Sequence, residues 1–279
     1  MPHWEKPWKF ILTEGLRSVA VITLTTDFGS GDHEAGVLKG VIWSIAPKTQ
    51  IADLTHDIPP QSVLEAALLL WRAARFFPDG SIHLAVVDPG VGTARRALAA
   101  RFGTQYFVGP DNGLVSLLLA RADETEQATS FISLDRPEFW LPDVSNVFHG
   151  RDIFAPVAAH LAAGTQFNTL GSKIDDPICI EIPKPTRTSH GWIGQVIHID
   201  HFGNLATNLN VNHLNTMNEV MVKIKGEQIT GMASTFGDRP GGSLIALLDS
   251  SGSLAISVVN GSAANQLHAH VGDEFEVFS

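Results

Sequence analysis

The sequence predicts an α/β domain with a mostly parallel central sheet, followed by a small C-terminal domain of antiparallel strands in a barrel or sandwich. From Val21 onward, short β-rich runs alternate with helical patterns, which is typical of βαβ units. After the Pro-containing run at residues 182–186, helical periodicity disappears and short strands separated by turn residues take over. The 279 residues also exceed what a single hydrophobic core usually serves, so we expect two domains.

Each element of the first domain has a local signal. Strands are predicted where β-branched and other apolar residues run together, and helices where apolar residues recur on one face. The first helix, for example, places Val37, Val41 and Ile45 on one face and ends before Pro47. The predicted strands are 21–25, 50–54, 82–87, 97–102, 105–108 and 131–134. The predicted helices are 33–45, 61–77, 114–121 and 153–163, the last of which Gly164 ends.

For the second domain, short alternating strands separated by turn residues are predicted. Its strands are expected at residues 194–200, 219–225, 243–248, 254–259 and 274–278. The predicted domains are therefore 20–184 and 185–279, preceded by an extension at residues 1–19. Glu14 and Arg17 interrupt any signal-like apolar segment in that extension.

Composition excludes several classes of partner. A formal net charge of -10 argues against nucleic acid and anionic membranes, whose phosphates require a basic protein surface. The longest apolar stretch, residues 62–74, is interrupted by Glu65 and Arg72 and is too short to cross a bilayer. Cys179 is the single cysteine and cannot form an internal disulfide, so a reducing cytoplasm is predicted.

Two distant stretches crowd ionisable side chains around glycines: DPGVGTARR at residues 88–96 and FHGRD at residues 148–152. Asp88 ends a predicted strand, where open α/β sheets place ligand-binding groups. Arg95 stays protonated and can only hold or stabilise negative charge, whereas His149 supplies a titratable base. Each stretch alone also fits a simpler interpretation, a surface salt bridge for Asp88 and a packed or capped ring for His149.

The run TTDFGSGD at residues 25–32 joins the first strand to the first helix. Its glycines permit close backbone approach, and Asp27 and Asp32 supply acceptors that suit ribose hydroxyls or an amine. It is not the dinucleotide-binding fingerprint, because Glu34 stands where the third glycine belongs. The alternative is that Asp32 simply caps a helix starting at His33.

In the second domain, DHFGN at residues 200–204 ends a strand with an aromatic ring, a glycine and an amide. Such a set can stack on a nucleobase and hydrogen-bond its edge. Phe236 could supply the opposite stacking face, although ordinary barrel turns have a similar composition. Adjacent Asp-His pairs, such as residues 32 and 33, rarely aim at one ion, so no metal site is predicted.

Five ordered motifs carry a family resemblance: TDFG at 26–29, DPGVGT at 88–93, GPDNG at 109–113, FHGRD at 148–152 and DHFGN at 200–204. On these motifs the chain, over about residues 21–278, resembles the S-adenosylmethionine (SAM) hydroxide adenosyltransferase family, the water-using relatives of the SAM-dependent fluorinase and chlorinase. The resemblance implies an N-terminal α/β domain, a C-terminal β-barrel, and a homotrimer whose sites lie between neighbouring subunits. SAM would be the substrate, and no cofactor is expected.

The resemblance also implies roles for individual residues. Asp88, Arg95 and His149 would act around a water molecule. The implied substrate-binding residues are Asp27 at the ribose hydroxyls, Phe202, Asn204 and Phe236 at adenine, and Asp32, Asp200 and Ser250 at the methionine end.

The halogenating relatives carry a small residue at the position of His149 and an aromatic one at the position of Asp88. A carboxylate there would repel a desolvated halide. The resemblance therefore favours attack of water at C5′ of SAM, giving adenosine and L-methionine. Two alternatives stay open, a SAM-dependent halogenase and a non-enzymatic sensor that binds SAM or adenosine.

Overall fold

A computed structural model describes residues 20–215, 217 and 219–279, which divide into two compact units. The first ends at Ile178 and the second spans Cys179–Ser279. The sequence-based boundary after residue 184 lies a few residues further along the chain, and the predicted extension at 1–19 lies outside the described residues. Among the described residues, none of the helices is long and apolar enough to cross a membrane.

The first unit is built on a seven-stranded sheet with the order β2-β1-β3-β5-β4-β6-β7. The neighbours β2, β1, β3 and β5 pair in parallel, whereas β4 and β7 run in the opposite direction. The prediction of a mostly parallel sheet is thus confirmed. The strands are β1 (Val21–Thr26), β2 (Gln50–Thr55), β3 (Ile82–Val86), β4 (Ala97–Phe102), β5 (Gln105–Pro110), β6 (Thr129–Ser133) and β7 (Ser172–Ile174).

Helices cover both faces of this sheet. The helices are α1 (Glu34–Ile45), α2 (Val63–Ala74), α3 (Ser116–Glu124) and α4 (Ala155–Ala162). Helices α1 and α4 pack in one apolar cluster, and α2 and α3 pack in another. Alternate residues of β3 enter the two clusters, Leu84 on one face and Ala85 on the other, as strand geometry requires. Burial on both faces explains why β3 is apolar along almost its whole length.

Parallel pairing brings the carboxyl ends of three strands to one edge of the sheet. Thr26 at the end of β1 pairs with Val86 at the end of β3, and Leu84 pairs with Val108 of β5. The segments that follow these strands begin with Asp27, with residues 87–88 and with residue 111. The sheet therefore collects the polar segments singled out in the sequence at its ligand-binding edge.

The second unit is an antiparallel, nearly closed barrel, as predicted. The order is β12-β11-β15-β9-β10-β14-β13, with β8 on β9. The Ala233 N–H donates to the Ala246 carbonyl and links the segment after β12 to β13. The strands are β8 (Thr186–Arg187), β9 (Gly191–Ile199), β10 (Leu205–Asn210), β11 (Met221–Ile224), β12 (Glu227–Thr230), β13 (Leu244–Leu248), β14 (Ser253–Val258) and β15 (Glu274–Phe278), and two short helices are α5 (Val211–Leu214) and α6 (Ala263–Leu267).

The prediction of one helix over residues 61–77 is too long. Gln61 has a φ of 65°, a left-handed conformation that cannot belong to an α-helix, so α2 begins at Val63. At the other end, the Phe76 and Phe77 N–H groups donate to carbonyls three residues back, which tightens the chain before Pro78.

Candidate active site

The loop of residues 87–96, called here the reactive loop, leaves β3 and turns back on itself before β4. The Val91 N–H donates to the Asp88 carbonyl at 3.2 Å, and the Thr93 N–H donates to the Gly90 carbonyl at 3.1 Å. These successive turns return the chain so that Arg95 faces Asp88.

Gly92 lets the reactive loop lie against the segment that carries His149. Its φ is 75°, a conformation that L-residues other than glycine rarely adopt. A Cβ at this position would lie 2.3 Å from the Asn146 carbonyl oxygen. The glycine is thus required by both its backbone conformation and its surroundings.

Asp88, Arg95 and His149 form one hydrogen-bonded set. Arg95 Nε donates to Asp88 Oδ1 at 2.8 Å, and Arg95 Nη2 donates to Asp88 Oδ2. Arg95 Nη2 also lies 2.9 Å from His149 Nδ1. The side chains of Arg95 and Asp88 are only 9% and 5% exposed, so this bidentate pair is largely removed from solvent. Sequence reasoning assigned these three residues to one site, and the structure brings them together.

The contact with Arg95 fixes the proton arrangement of His149. An arginine N–H can only donate, so His149 Nδ1 accepts and Nε2 carries the hydrogen of the neutral ring. Burial, and next the charge of Arg95, lower the pKa of His149, while Asp88 and Asp152 act in the opposite direction. His149 is therefore neutral at neutral pH and offers Nε2–H as a donor.

His149 stands at the start of a π turn, Gly150–Phe154, which leads into α4. Asp152 lies buried inside this turn, where it accepts from the Ser145 N–H at 2.8 Å and from Arg151 Nε at 2.6 Å. Although burial opposes it, hydrogen bonds from Arg151 and Ser145 lower the pKa of Asp152. Asp152 therefore stays ionised and, through the Ser145 N–H, holds the segment that precedes His149 in the chain.

Asp27 lies beside this set at the same sheet edge. Its Oδ2 accepts from the Gln61 N–H at 2.9 Å, and the carboxylate is half-buried. The neighbouring Phe28 packs edge-on against Phe148, with ring centroids 5.7 Å apart. This aromatic contact joins the Asp27 turn to the His149 segment.

Asp32 lies in a more exposed position. Its Oδ1 accepts from the His33 N–H at 2.8 Å and lies 2.6 Å from His33 Nδ1. The alternative that Asp32 caps α1 is wrong, because the N-cap is His33 and no side chain caps it. Asp32, His33 and Glu34 place ligand-type atoms within 4.8 Å of one another, and Asp32 and His33 are hydrogen-bonded to each other.

In the second unit, the Asp200 carboxylate organises the turn of residues 200–204. Its Oδ1 accepts from the N–H groups of Phe202 and Asn204, both at 2.9 Å, and its Oδ2 accepts from Asn204 Nδ2 at 2.8 Å. The turn leaves the Phe202 ring 74% exposed, and the Phe236 ring is 46% exposed. Two aromatic faces are thus available to a flat ligand.

Ser250 lies in a different turn of the second unit. The chain around it joins β13 to β14, and the Val211 N–H donates to the Gly252 carbonyl at the end of β10. The turn of residues 200–204 precedes the start of β10, whereas the chain around Ser250 meets the end of β10. A register shift lies between these ends, because Leu205 pairs with Ile256 and Asn210 with Ser253, only three residues apart on β14. The structure therefore brings Asp200, Phe202 and Asn204 together and leaves Ser250 at the opposite end of the strand.

Sequence reasoning missed two supporting residues, Asp152 and Gln61. Asp152 had a signal, because an Arg-Asp pair within a glycine-containing motif at the start of an apolar helix predicts a buried, paired carboxylate. Gln61 contributes only its backbone N–H, which no residue type identifies.

Comparison with known proteins gives a consistent result for both units. The family model described as the SAM hydroxide adenosyltransferase N-terminal domain matches residues 22–171, and the model of the C-terminal domain of that family matches residues 194–276.

Two relatives bear the name (R)-S-adenosyl-L-methionine hydrolase. The protein from Salinispora tropica is 38% identical over 259 residues, which cover 92% of this chain and 97% of the relative. The protein from Thermus thermophilus is 39% identical over 248 residues, which cover 87% and 93%. Proteins named fluorinase are more distant, at 27% to 29% identity over 68% to 71% of this chain.

The fold also matches a solved structure of an uncharacterized conserved protein from Thermotoga maritima. The TM-score is 0.85 at 36% identity, and the match covers 92% of this chain and 100% of that one.

Proposed function

The chain belongs to the SAM hydroxide adenosyltransferase family, and from this premise we propose that it hydrolyses SAM by attack of water at C5′, giving adenosine and L-methionine. The observation that carries the proposal is the hydrogen-bonded set of Asp88, Arg95 and His149. A charged, hydrogen-bonding pocket of this kind suits water and disfavours a bare halide.

The chemical difficulty lies in the nucleophile. The leaving group is the neutral thioether of methionine, which needs no acid. Water is a weak nucleophile, so the site must orient it and remove a proton as the new bond forms.

We assign the proton to Asp88. His149 Nδ1 is engaged by Arg95, and Nε2 already carries hydrogen, so His149 can donate to the water oxygen but has no free acceptor. The water then donates to Asp88, accepts from His149 and keeps one lone pair for C5′. As the O–C5′ bond forms, the C5′–S bond breaks, its electron pair goes to sulfur, and the proton passes to Asp88.

Substrate contacts follow the family assignments. Asp27 would hold the ribose hydroxyls, and Phe202, Phe236 and Asn204 would hold adenine. The remaining residues, Asp32, Asp200 and Ser250, would serve the methionine end. The three hydrogen bonds already made by Asp200 support a role in placing Phe202 and Asn204 as well.

We further propose a cytoplasmic homotrimer with sites between neighbouring subunits, acting without a cofactor, a metal, nucleic acid or a membrane. The net charge of -10 supports the last two points. The exposed rings of Phe202 and Phe236 support an assembled site that covers them. Light scattering of the purified chain tests the trimer, since the monomer mass is 30.1 kDa and a single-subunit mass would contradict it.

The decisive experiment incubates purified protein with SAM in ¹⁸O-labelled water, with and without chloride, and separates the products by chromatography with mass detection. We expect adenosine labelled at its 5′ oxygen, together with methionine, in both buffers. Chlorinated nucleoside would assign the protein to the halogenases, and SAM binding without product would assign it to the sensors. Asp88→Asn is the matched control, expected to bind SAM and form little product.

A further inference from the structure

The GPDNG motif at residues 109–113 has no role in the proposed chemistry, yet its position in the sheet is distinctive. The reactive loop joins β3 to β4, and β5 lies between these two strands in the sheet order. The loop must therefore cross the carboxyl end of β5. Asp111 and Asn112 are the residues that follow that end.

Each of these two residues is hydrogen-bonded to one end of the reactive loop. Asn112 Nδ2 donates to the carbonyl of Val87, the residue before Asp88, at 2.8 Å. Asp111 Oδ2 accepts from Nε of Arg96, the residue after Arg95, at 2.7 Å, and the Asp111 N–H donates to the Arg96 carbonyl at 3.0 Å.

The surroundings of Asp111 stabilise a buried carboxylate. Its side chain is completely buried, and its other oxygen accepts from the Ile178 N–H at 2.8 Å. Arg96 supplies the required countercharge and uses its remaining donors on Asp176, Nη1 to Oδ1 at 2.7 Å and Nη2 to the carbonyl at 2.6 Å. A buried carboxylate that is paired and hydrogen-bonded in this way resists displacement.

Gly109 allows this arrangement by letting β5 approach β3 closely. A Cβ at residue 109 would lie 2.3 Å from the Ala85 carbonyl oxygen, two residues before Val87. Close approach of the backbones brings Asn112 within reach of the loop.

We propose that Asp111 and Asn112 are positioning residues that hold both ends of the reactive loop and thereby fix Asp88 and Arg95 against His149. The inference rests on the proposed function for its catalytic consequence. Misplacing reacting groups by about 1 Å can cost about 10²-fold in rate. Neither residue is assigned a contact with SAM, so the effect should fall on kcat and leave binding intact.

The first test compares kcat, KM and the Kd for SAM in single variants. Asn112→Ala removes the hydrogen bond to Val87, and Asp111→Asn turns an acceptor into a donor that faces Arg96 or Ile178. We expect kcat to fall roughly 10- to 100-fold in both, with KM and Kd within about threefold. The control is Asp176→Asn, which changes the 73%-exposed partner of the same arginine and should leave kcat within about threefold.

A double variant separates positioning from general damage. If Asn112 acts through Asp88 and Arg95, Asn112→Ala should cost little additional activity in an Asp88→Ala background. A full multiplicative loss would overturn the inference. Thermal melting identifies any variant that fails to fold. If Asp111→Asn does not fold, Asn112→Ala alone is used for the test, because Asn112 is only half-buried.

A third measurement needs no turnover. Burial and Arg95 lower the pKa of His149, and Asp88 and Asp152 are the other charged groups that face it. Loosening the loop should therefore raise the pKa of His149 in an NMR titration, with no change in Asp176→Asn. If the wild-type protein does not hydrolyse SAM, the proposed function fails while this titration still decides on the loop; an unchanged pKa together with unchanged kcat would overturn the inference.

Discussion

At the residue scale, the structure separates two arginines that look equivalent in the sequence. Arg95 turns to Asp88 and His149, whereas Arg96 turns to Asp111 and Asp176. Residue types indicated a carboxylate, a cation and a base, and the family resemblance placed them at one site. They could not predict the direction of each hydrogen bond, which depends on groups brought together from distant parts of the chain.

Substitution of His149 tests whether it donates to water or removes a proton. His149→Ala should lower kcat about 10²-fold, the usual size of such a contribution. His149→Gln should recover much of this loss, because an amide keeps one acceptor for Arg95 and one donor for water. Adenosine formation under saturating SAM measures both.

The two roles give opposite results for glutamine. An amide does not take up a proton at neutral pH, so it cannot replace a general base. If the glutamine variant is as slow as the alanine variant, and both still bind SAM, His149 rather than Asp88 would be the group that removes the proton from water.

At the element scale, β10 shows why some strands escaped prediction. Its sequence contains Thr207 and Asn208, polar residues that suggest a turn. In the structure, Thr207 Oγ1 donates to the Leu254 carbonyl, and Asn208 Oδ1 accepts from the Gln195 N–H. Partners that are distant in sequence satisfy these polar groups inside the barrel, so a local pattern could not reveal them.

Strands made mostly of apolar residues were predicted well. Strand β4 has the predicted bounds, and β3 is one residue shorter than expected. Burial on both faces leaves a run of mostly apolar residues, and that signal is local.

The reactive loop as an element depends on Gly92. Gly92→Ala should lower kcat about 10²-fold, because a Cβ against the Asn146 carbonyl forces the loop away from the His149 segment. Steady-state kinetics and thermal melting measure the effect.

Gly80→Ala is the matched control, since Gly80 also has a positive φ, 82°, but has open space around it. It should cost about 1 kcal/mol of stability, with kcat unchanged. If Gly92→Ala behaves like this control, the close approach to Asn146 does not matter for catalysis.

At the scale of the whole molecule, stability should depend on the neutral state of His83. This ring lies buried in β3, with Nδ1 2.8 Å from Thr23 Oγ1, and burial lowers its pKa to about 4. The unfolded chain has an ordinary pKa near 6.5 and binds a proton more readily. The stabilisation is therefore fully present above about pH 6.5 and is lost as pH falls towards 4, on the order of 3 kcal/mol.

Denaturant unfolding of the wild type and of His83→Gln from pH 7 to pH 4 measures this dependence. The difference in free energy of unfolding between the two proteins should shrink as pH falls, because glutamine does not titrate. Parallel curves would show that His83 is not the group responsible.

The two-unit architecture follows from local patterns in the sequence, whereas the grouping of Asp88, Arg95 and His149 in one site follows from the family resemblance. The sequence could not predict the hydrogen bonds by which Asp111 and Asn112 hold the reactive loop. Strands β3 and β4 are consecutive in the chain but separated by β5 in the sheet, and only this order places residues 111 and 112 beneath the loop.

Because of the π turn at Gly150–Phe154, the number of residues in this stretch determines where His149 points. A π turn contains one residue more than the α-helical turn it replaces. Removing one residue would restore a continuous helix and rotate everything before it by about 100° around the axis, turning His149 away from Arg95. Insertions and deletions in this stretch are therefore as consequential as substitutions, and an alignment that treats the helix as uniform misplaces the histidine.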